Sequence, residues 1–240
     1  MKPAARSRPR FTIFGGPNGS GKSTAYTRFV RAGFDSGEYL NPDEIARSMR
    51  GAGAGGSAFG LGAGREVVER TRSLVDAGRS LVRESTLTGR EIIRSVERTR
   101  AAGYRLVLVF VGVSSPTTTR GRIAVRVAKG GHDIPVDVQD RRFPRSIDNL
   151  RRVVRLVDVA YFLDNAGLRH RLVATVCRGT LTFLDSYGAA WAEQGTADLP
   201  RAGLLKTRQE ALLGLRAAEG MTEDLEVHEP RGGYEAASLA

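Results

Sequence analysis

Residues 11–29, FTIFGGPNGSGKSTAYTRF, constrain the fold of this chain more than any other stretch. Gly16, Gly21, Lys22 and Ser23 fill the pattern G-x-x-x-x-G-K-[ST] at its required spacing. A short apolar run ending in glycine precedes the pattern, and helical periodicity follows it. Each residue type has a physical reason. The glycines let backbone N–H groups turn inward without a Cβ clash, which makes an anion nest. The helix that starts there adds the positive end of its dipole. Lys22 is placed to reach β- and γ-phosphates, and Ser23 to ligate Mg²⁺. Gly16, Pro17, Asn18, Gly19, Ser20, Gly21, Lys22, Ser23 and Thr24 are therefore the expected binding loop for the triphosphate of ATP. An ordinary glycine turn would leave Lys22 and Ser23 unexplained.

Downstream, apolar periodicity predicts alternating strands and helices. Strands are expected at 10–16, 37–41, 79–85, 104–113 and 159–165, with a hairpin over HRLVATVCRG and TLTFLDS that turns at Gly179. Helices are expected at about 22–31, 41–50, 65–76 and from Thr88 to Ala102. In the second of these Asn41 can cap, Pro42 suits the first position and Glu44 follows three residues past the cap. Thr88 and Glu91 have the spacing of a capping box. The run 104–113 is apolar on both faces, as a central strand of a parallel sheet would be. Residues 51–64 are mostly glycine and alanine and predict a mobile loop or hinge. Two arginine-rich helical stretches, about 116–129 and 135–157, are expected to be broken by GGHDIP and by Pro144. His132, after two glycines, suits a turn. A further helix is expected over about 206–219, and the last twenty residues are expected to be disordered.

Strand and helix in alternation give an α/β fold: a three-layer P-loop sandwich around a mostly parallel sheet, kinase-like, with the arginine-rich helices as a lid. The length of 240 residues suits one core with a small appendage. The expected division is a flexible basic N-terminus (1–9), a kinase domain (10–198, lid about 116–157) and a C-terminal extension (199–240).

The net charge of +11 invites a polyanionic partner. Lys2, Lys22, Lys129 and Lys206 are the only lysines, so 33 of the 37 basic residues are arginine. Such a bias, beside much Gly, Ala and Val, also arises from a GC-rich genome. The arginines are spread along the chain, and aromatics are too sparse for an interleaved RNA-binding surface. Cys177 is the single cysteine, which excludes an intrachain disulfide and fits a reducing, cytoplasmic compartment. Its apolar surroundings predict a small buried hydrophobe, and Trp191 is expected to serve packing. No apolar run approaches the roughly 18 residues of a membrane span. Three histidines and one cysteine without ligand spacing exclude a zinc site.

A hydrolytic switch usually carries a strand ending in Asp, but LVLVFVGV ends without an acid. Acids stand instead after the second and third strands, at Asp43 and Glu84. A kinase needs a carboxylate at the acceptor hydroxyl, cations over the transferring phosphoryl group and a way to exclude water. Asp43 is the candidate carboxylate, and the arginines of 120–126 and 141–145 are the candidate cations. Asp43 has a simpler alternative role in the first helical turn, where an acid favours the dipole by about 0.3–1 kcal/mol.

GPNGSGKST, NPDEIAR, RESTLTGR, RVAKGGHDIP, RRFPRSIDNL and YFLDN, in this order, resemble the zeta-toxin-like family of P-loop kinases, above all the branch labelled predicted ABC-type ATPase. The resemblance covers about residues 10–190. It implies an ATP-dependent kinase that phosphorylates a hydroxyl of a nucleotide sugar such as UDP-N-acetylglucosamine, and a small antitoxin protein as partner. It further implies Lys22 as the phosphate-loop lysine and Asp43 as general base. Glu84 and Thr86 would contact the sugar substrate, with Glu84 supporting Mg²⁺. Arg126 and Arg142 (or Arg141) would stabilise the transferring phosphate. Two other readings remain: a kinase of a nucleoside, an antibiotic or a nucleic-acid end, and a nucleotide-gated ATPase or binding module.

Overall fold

The computed structural model describes residues 8–35, 37–51, 59–128, 133–167 and 169–222. The expectations for residues 1–7 of the N-terminal arm, for most of the glycine-rich stretch before Phe59, for His132 and for residues 223–240 of the C-terminal tail lie outside them. Seven strands form one sheet: β1 (Arg10–Gly15), β2 (Glu38–Leu40), β3 (Leu81–Ser85), β4 (Arg105–Gly112), β5 (Val159–Asp164), β6 (Arg171–Cys177) and β7 (Thr180–Leu184). Their order is β2-β3-β1-β4-β5-β6-β7. The first five strands run parallel, and the β6–β7 hairpin extends the sheet antiparallel. Eight helices are described: α1 (Lys22–Arg31), α2 (Pro42–Gly51), α3 (Phe59–Asp76), α4 (Arg90–Ala101), α5 (Pro116–Ala128), α6 (Val136–Val153), α7 (Ala190–Thr196) and α8 (Arg208–Glu219).

Burial on both faces of β4 makes the layers. On one face Leu106, Leu108 and Phe110 pack with Leu74 of α3, Val96 of α4, Leu150 of α6 and Trp191 of α7. On the other, Val107, Val109 and Val111 pack with Phe29 of α1 and Leu215 of α8. The result is a P-loop kinase-like fold with helices on both sides of a mostly parallel sheet. Because β1 and its parallel neighbours share one direction, the loops after β1, β2 and β3 gather at one edge. In register, Phe14 lies beside Glu84 and Gly15 beside Ser85, so the phosphate loop and the end of β3 leave the sheet together.

Several local expectations change in three dimensions. The Thr88–Glu91 capping box does not form: Gly89 is the cap residue of α4, without a side-chain bond. Glu91 instead receives two hydrogen bonds from Arg83, at 3.1 and 2.6 Å. Helix α6 runs through Pro144 without a break; both Pro144 and Asp140, whose carbonyl loses its helical partner, are exposed, which leaves that carbonyl open to solvent. Residues 59–64 are the first turns of α3 rather than a loop, and Ala63 packs against Ile45 and Val67. Cys177 is exposed, not buried. It ends β6, one residue before the Arg178–Gly179 turn, where the strand runs out from under α8. Trp191 is buried against Phe110 and Phe162, as a packing residue should be.

Glu219, at the end of α8 and only 2% exposed, ties three strands together. It accepts hydrogen bonds from Arg10 (3.3 Å), Arg105 (2.7 and 3.2 Å) and the Tyr161 hydroxyl (3.2 Å). A carboxylate at a helix C-terminus opposes the dipole, so the two guanidinium groups account for its presence. Replacing it leaves two partly buried cations without a counter-charge. Glu219→Ala is expected to destabilise the fold by about 2–3 kcal/mol, with Glu219→Gln milder. The urea midpoint measures this, with an unchanged denaturant slope showing that the unfolded state is the same.

Candidate active site

The phosphate loop closes on itself. Gly16 has φ 140°, and a Cβ there would lie 2.1 Å from the Val111 carbonyl. Gly21 has φ 97°, and a Cβ there would lie 2.3 Å from Asn165 Nδ2. Both positions therefore require glycine for backbone angle and for close approach. The Gly16 amide donates to the Ser85 carbonyl (3.2 Å) and the Ser20 amide to that of Pro17 (3.2 Å). Lys22 Nζ folds back to donate to the Pro17 carbonyl at 3.0 Å. Crowding by protein atoms pushes the Lys22 ammonium below its ordinary pKa; Glu84 and Asp43 act in the opposite direction, and Arg126 adds to the lowering. A lysine held this way is a partly buried cation beside the anion nest of the loop. Ser23 and Thr24 open α1 and are exposed at the mouth of the loop.

The second wall comes from α2. Asn41 Oδ1 accepts from the Asp43 amide (2.9 Å), an N-cap that fixes the first turn. Asp43 projects from that turn, its side chain 62% exposed, and meets Arg126 of α5 at 3.4 Å. Glu84, 6% exposed at the end of β3, accepts a short hydrogen bond from the Tyr39 hydroxyl. Tyr39 in turn receives from Asn41 Nδ2 (3.1 Å) and stacks on Tyr26 of α1. Burial and then the nearby Glu84 push the Tyr39 pKa up, so it remains a donor and aims the carboxylate. The Thr86 and Thr88 hydroxyls lie 2.9 Å apart.

Helices α5 and α6, linked by Arg120 and Asp140 (3.1 Å), supply the third wall. One cavity of about 830 Å³ is lined by Lys22, Asp43, Glu84, Thr86, Arg126 and Arg142, together with residues of the phosphate loop and with Gly89, Glu91, Ile92 and Ile134. Every residue expected in catalysis or in acceptor and metal contact stands on this cavity or at its mouth. Arg142, rather than the exposed Arg141, faces it.

Reading along the chain gave Arg122 only as one of the candidate cations of 120–126, and gave no role to Asn165, Tyr39 or His170. Arg122 donates to the Asn165 carbonyl (2.6 Å), and Asn165 Nδ2 to the Ser20 carbonyl (2.8 Å), which ties α5 and the end of β5 to the phosphate loop. Asp164, buried beside them, accepts from the Trp191 indole at 3.2 Å and so serves the core. Tyr39 had one signal: it lies two residues before Asn41, on the same strand face. His170 had none. It is 2% exposed behind Gly21, with Arg28 3.1 Å from its Nδ1. The guanidinium must donate there, which leaves the ring proton on Nε2.

Burial first, then Arg28, pushes the His170 pKa down to about 4, against a smaller opposing effect of the Gly21 backbone. The unfolded imidazole takes a proton near pH 6.5. Between these values the unfolded state binds more protons, so stability falls as pH falls. From pH 7 to pH 5 the loss assigned to His170 is expected to be about 2 kcal/mol. Urea midpoints at the two pH values for the wild type and His170→Gln measure it; an equal drop in both assigns the effect elsewhere.

Comparison with known proteins bears on the fold and the family. A protein of Haemophilus influenzae described only as uncharacterized is 28% identical over 131 residues, 53% of this chain and 88% of that protein. The AvrRxo1-ORF1:-ORF2 complex with ATP superposes with TM-score 0.59 at 18% identity, covering 88% of this chain and 71% of that one. In the sulfate-bound form of the same complex, the chain spans 64% of its counterpart. A structure of the PezAT chromosomal toxin–antitoxin system of Streptococcus pneumoniae gives TM-score 0.56 at 14% identity, covering 90% and 87%. At such identities these structures speak to the fold. The sequence family is set by a model described as an AAA domain, which matches residues 11–153, from the first strand to the end of α6. By that match, over more than half its length, the chain belongs to the AAA domain family.

Proposed function

We propose that the protein is an ATP-dependent phosphotransferase of the zeta-toxin type, which moves the γ-phosphate of ATP to a hydroxyl of a small molecule. One observation carries this reading: the phosphate-loop lysine, Asp43, Glu84 and the lid arginines Arg126 and Arg142 line a single cavity. A nucleotide-binding module needs the loop; it has no use for a carboxylate opposite it under a cover of guanidinium groups.

In this reading the main-chain amides of 16–24 hold the phosphates. Asp43 accepts the proton of the incoming alcohol as its oxygen attacks phosphorus. Lys22, Arg126 and Arg142 oppose the charge that spreads over the equatorial oxygens, and α5 and α6 exclude water from them. The Asp43–Arg126 ion pair holds base and cation near one another before substrate arrives. The donor set for a metal is oxygen only, the Ser23 hydroxyl and the Glu84 carboxylate. Among the described residues no cluster of three His, Cys, Asp or Glu exists. That fits a hard cation which takes its remaining ligands from phosphates and water. Ser23 and Glu84 would hold Mg²⁺, which neutralises phosphate charge when bound.

A nucleotide sugar such as UDP-N-acetylglucosamine is the acceptor we favour, from the motifs shared with the zeta-toxin-like kinases. The PezAT and AvrRxo1 complexes support a second part of the reading, a small antitoxin-like protein partner. The described helices include none long and apolar enough to cross a membrane. The purified protein, incubated with γ-labelled ATP, Mg²⁺ and a metabolite extract, is expected to place label on a small molecule, with a mass gain of one phosphate. Free phosphate alone would make the protein an ATPase, and no turnover would make it a binder.

A further inference from the structure

A second cavity, of about 550 Å³, opens between α8 and the strands β5, β6 and β7. Chain direction fixes its place. Arg105 and Val159 begin β4 and β5, and Cys177, paired with Val159, ends the antiparallel β6. The cavity thus lies at the edge of the sheet away from the phosphate loop, and no residue lines both cavities. Its volume is within the range of about 300–1,000 Å³ that small-ligand pockets occupy.

Its charge is uneven. Arg8, Arg178 and Lys206 stand on its walls, and none of the three is in an ion pair within 4 Å among the described residues, although Lys206 feels the charge of Glu210; against them stands one lining acid, Asp158, whose Oδ2 accepts from the Leu106 amide at 2.8 Å. Arg8 Nε and Nη2 donate to the carbonyls of Gly103 and Tyr104, which places the guanidinium without neutralising it. Arg105, deeper in, is already matched by Glu219. On the floor the Thr175 and Thr182 hydroxyls lie 2.8 Å apart. Arg178 adds an independent sign. It has φ 48°, followed by Gly179 at φ 74°, the two left-handed positions of a tight hairpin. Asn, Asp or Gly suits the first of these; arginine there is strained, and such strain persists where a side chain has another task.

We propose that this cavity is a second ligand site, for a small multivalent anion of the oligophosphate class. Guanidinium and ammonium groups converging from separate elements recognise phosphate oxygens through charge-assisted hydrogen bonds. Multivalence follows from the cations standing on three segments: Arg8 before β1, Arg178 in the hairpin turn and Lys206 before α8.

Cys177, exposed on the same cavity and the only cysteine, is a built-in reporter. The test follows its alkylation by iodoacetamide, a neutral reagent, in the full chain carrying Lys22→Ala to weaken the phosphate loop. Inorganic tripolyphosphate is expected to slow alkylation about five-fold or more at saturation. Arg178→Asn and Lys206→Gln are each expected to weaken the protection about ten-fold. Asn suits the left-handed turn position, so the first variant relieves strain and keeps the hairpin; far-UV circular dichroism checks this. Citrate separates polycarboxylate from oligophosphate binding, and KCl at equal ionic strength removes general screening. No protection, equal protection by citrate or KCl, or an unchanged midpoint in both variants would overturn the proposal. The readout involves no phosphoryl transfer, so it stands or falls apart from the proposed kinase activity.

Discussion

Lys22→Ala is expected to lower the rate of phosphoryl transfer by about 10³- to 10⁵-fold, the range found for cations set against a transferring phosphoryl group. The size follows from the surroundings of the ammonium. It is crowded by loop atoms, its pKa is depressed by that burial, and its hydrogen bond runs to the Pro17 carbonyl of the loop it serves. In such a place a cation acts through a low effective dielectric and needs little reorganisation when charge moves. The free chain has no matching need for it: removing a desolvated charge that makes one hydrogen bond to a backbone carbonyl leaves stability the same or slightly higher. The prediction therefore has two parts, lost transfer and weaker ATP binding with an unchanged or raised urea midpoint. Single-turnover transfer of labelled phosphate and calorimetric ATP binding read the first part. A variant that transfers phosphate at near the wild-type rate would place the charge stabilisation elsewhere, on Arg126 and Arg142.

The chain announces its first strand, phosphate loop and first helix openly, because there one segment supplies backbone angles, anion nest and dipole together. It announces β4 for a different reason: a strand buried on both faces reads as an unbroken apolar run. The same reasoning fails where a distant partner outbids a local one. Thr88 and Glu91 have the capping-box spacing, but Arg83, brought over from β3, takes the Glu91 carboxylate at 2.6 Å. The same spacing at Thr207 and Glu210 does form a capping box; among the described residues no cation pairs with Glu210 there. Pro144 disfavours helix wherever it stands, but α6 continues through it because Ile147, Leu150 and Val153 beyond it are buried in the core. Of the site, the residues on loops after β1, β2 and β3 were legible, since parallel topology gathers those ends. His170 and Asn165 were not, and Arg122 was legible only as one of the arginines of 120–126, not as the partner of Asn165. Their chemistry depends on the end of β5 folding against Ser20 and Gly21, a contact that spans about 145 residues and leaves no periodic trace.

Asp43→Asn separates catalysis from binding, and for that reason it tests the proposed chemistry most sharply. The substitution keeps the shape of the side chain and an oxygen for Arg126, and it leaves the Asn41 cap on the Asp43 amide untouched. At 62% exposure the site tolerates the change with stability within about 0.5 kcal/mol. In the proposed reading the loop amides and Lys22 hold ATP, so its dissociation constant is expected to move less than about three-fold, the small change coming from one fewer negative charge near the phosphates. Only proton acceptance is lost, and a positioned general base is worth about 10²- to 10⁴-fold. The expected pattern is a fall in kcat of that size with KM for ATP nearly constant, the signature of an interaction realised only in the transition state. If Asp43 were present only to favour the dipole of α2, the same variant would keep full transfer and lose at most about 1 kcal/mol of stability. The two outcomes do not overlap. Full activity with a slightly lowered urea midpoint would reduce Asp43 to a helix-start acid and require another base on the cavity wall, where the other carboxylates are Glu84, bound by Tyr39, and Glu91, bound by Arg83.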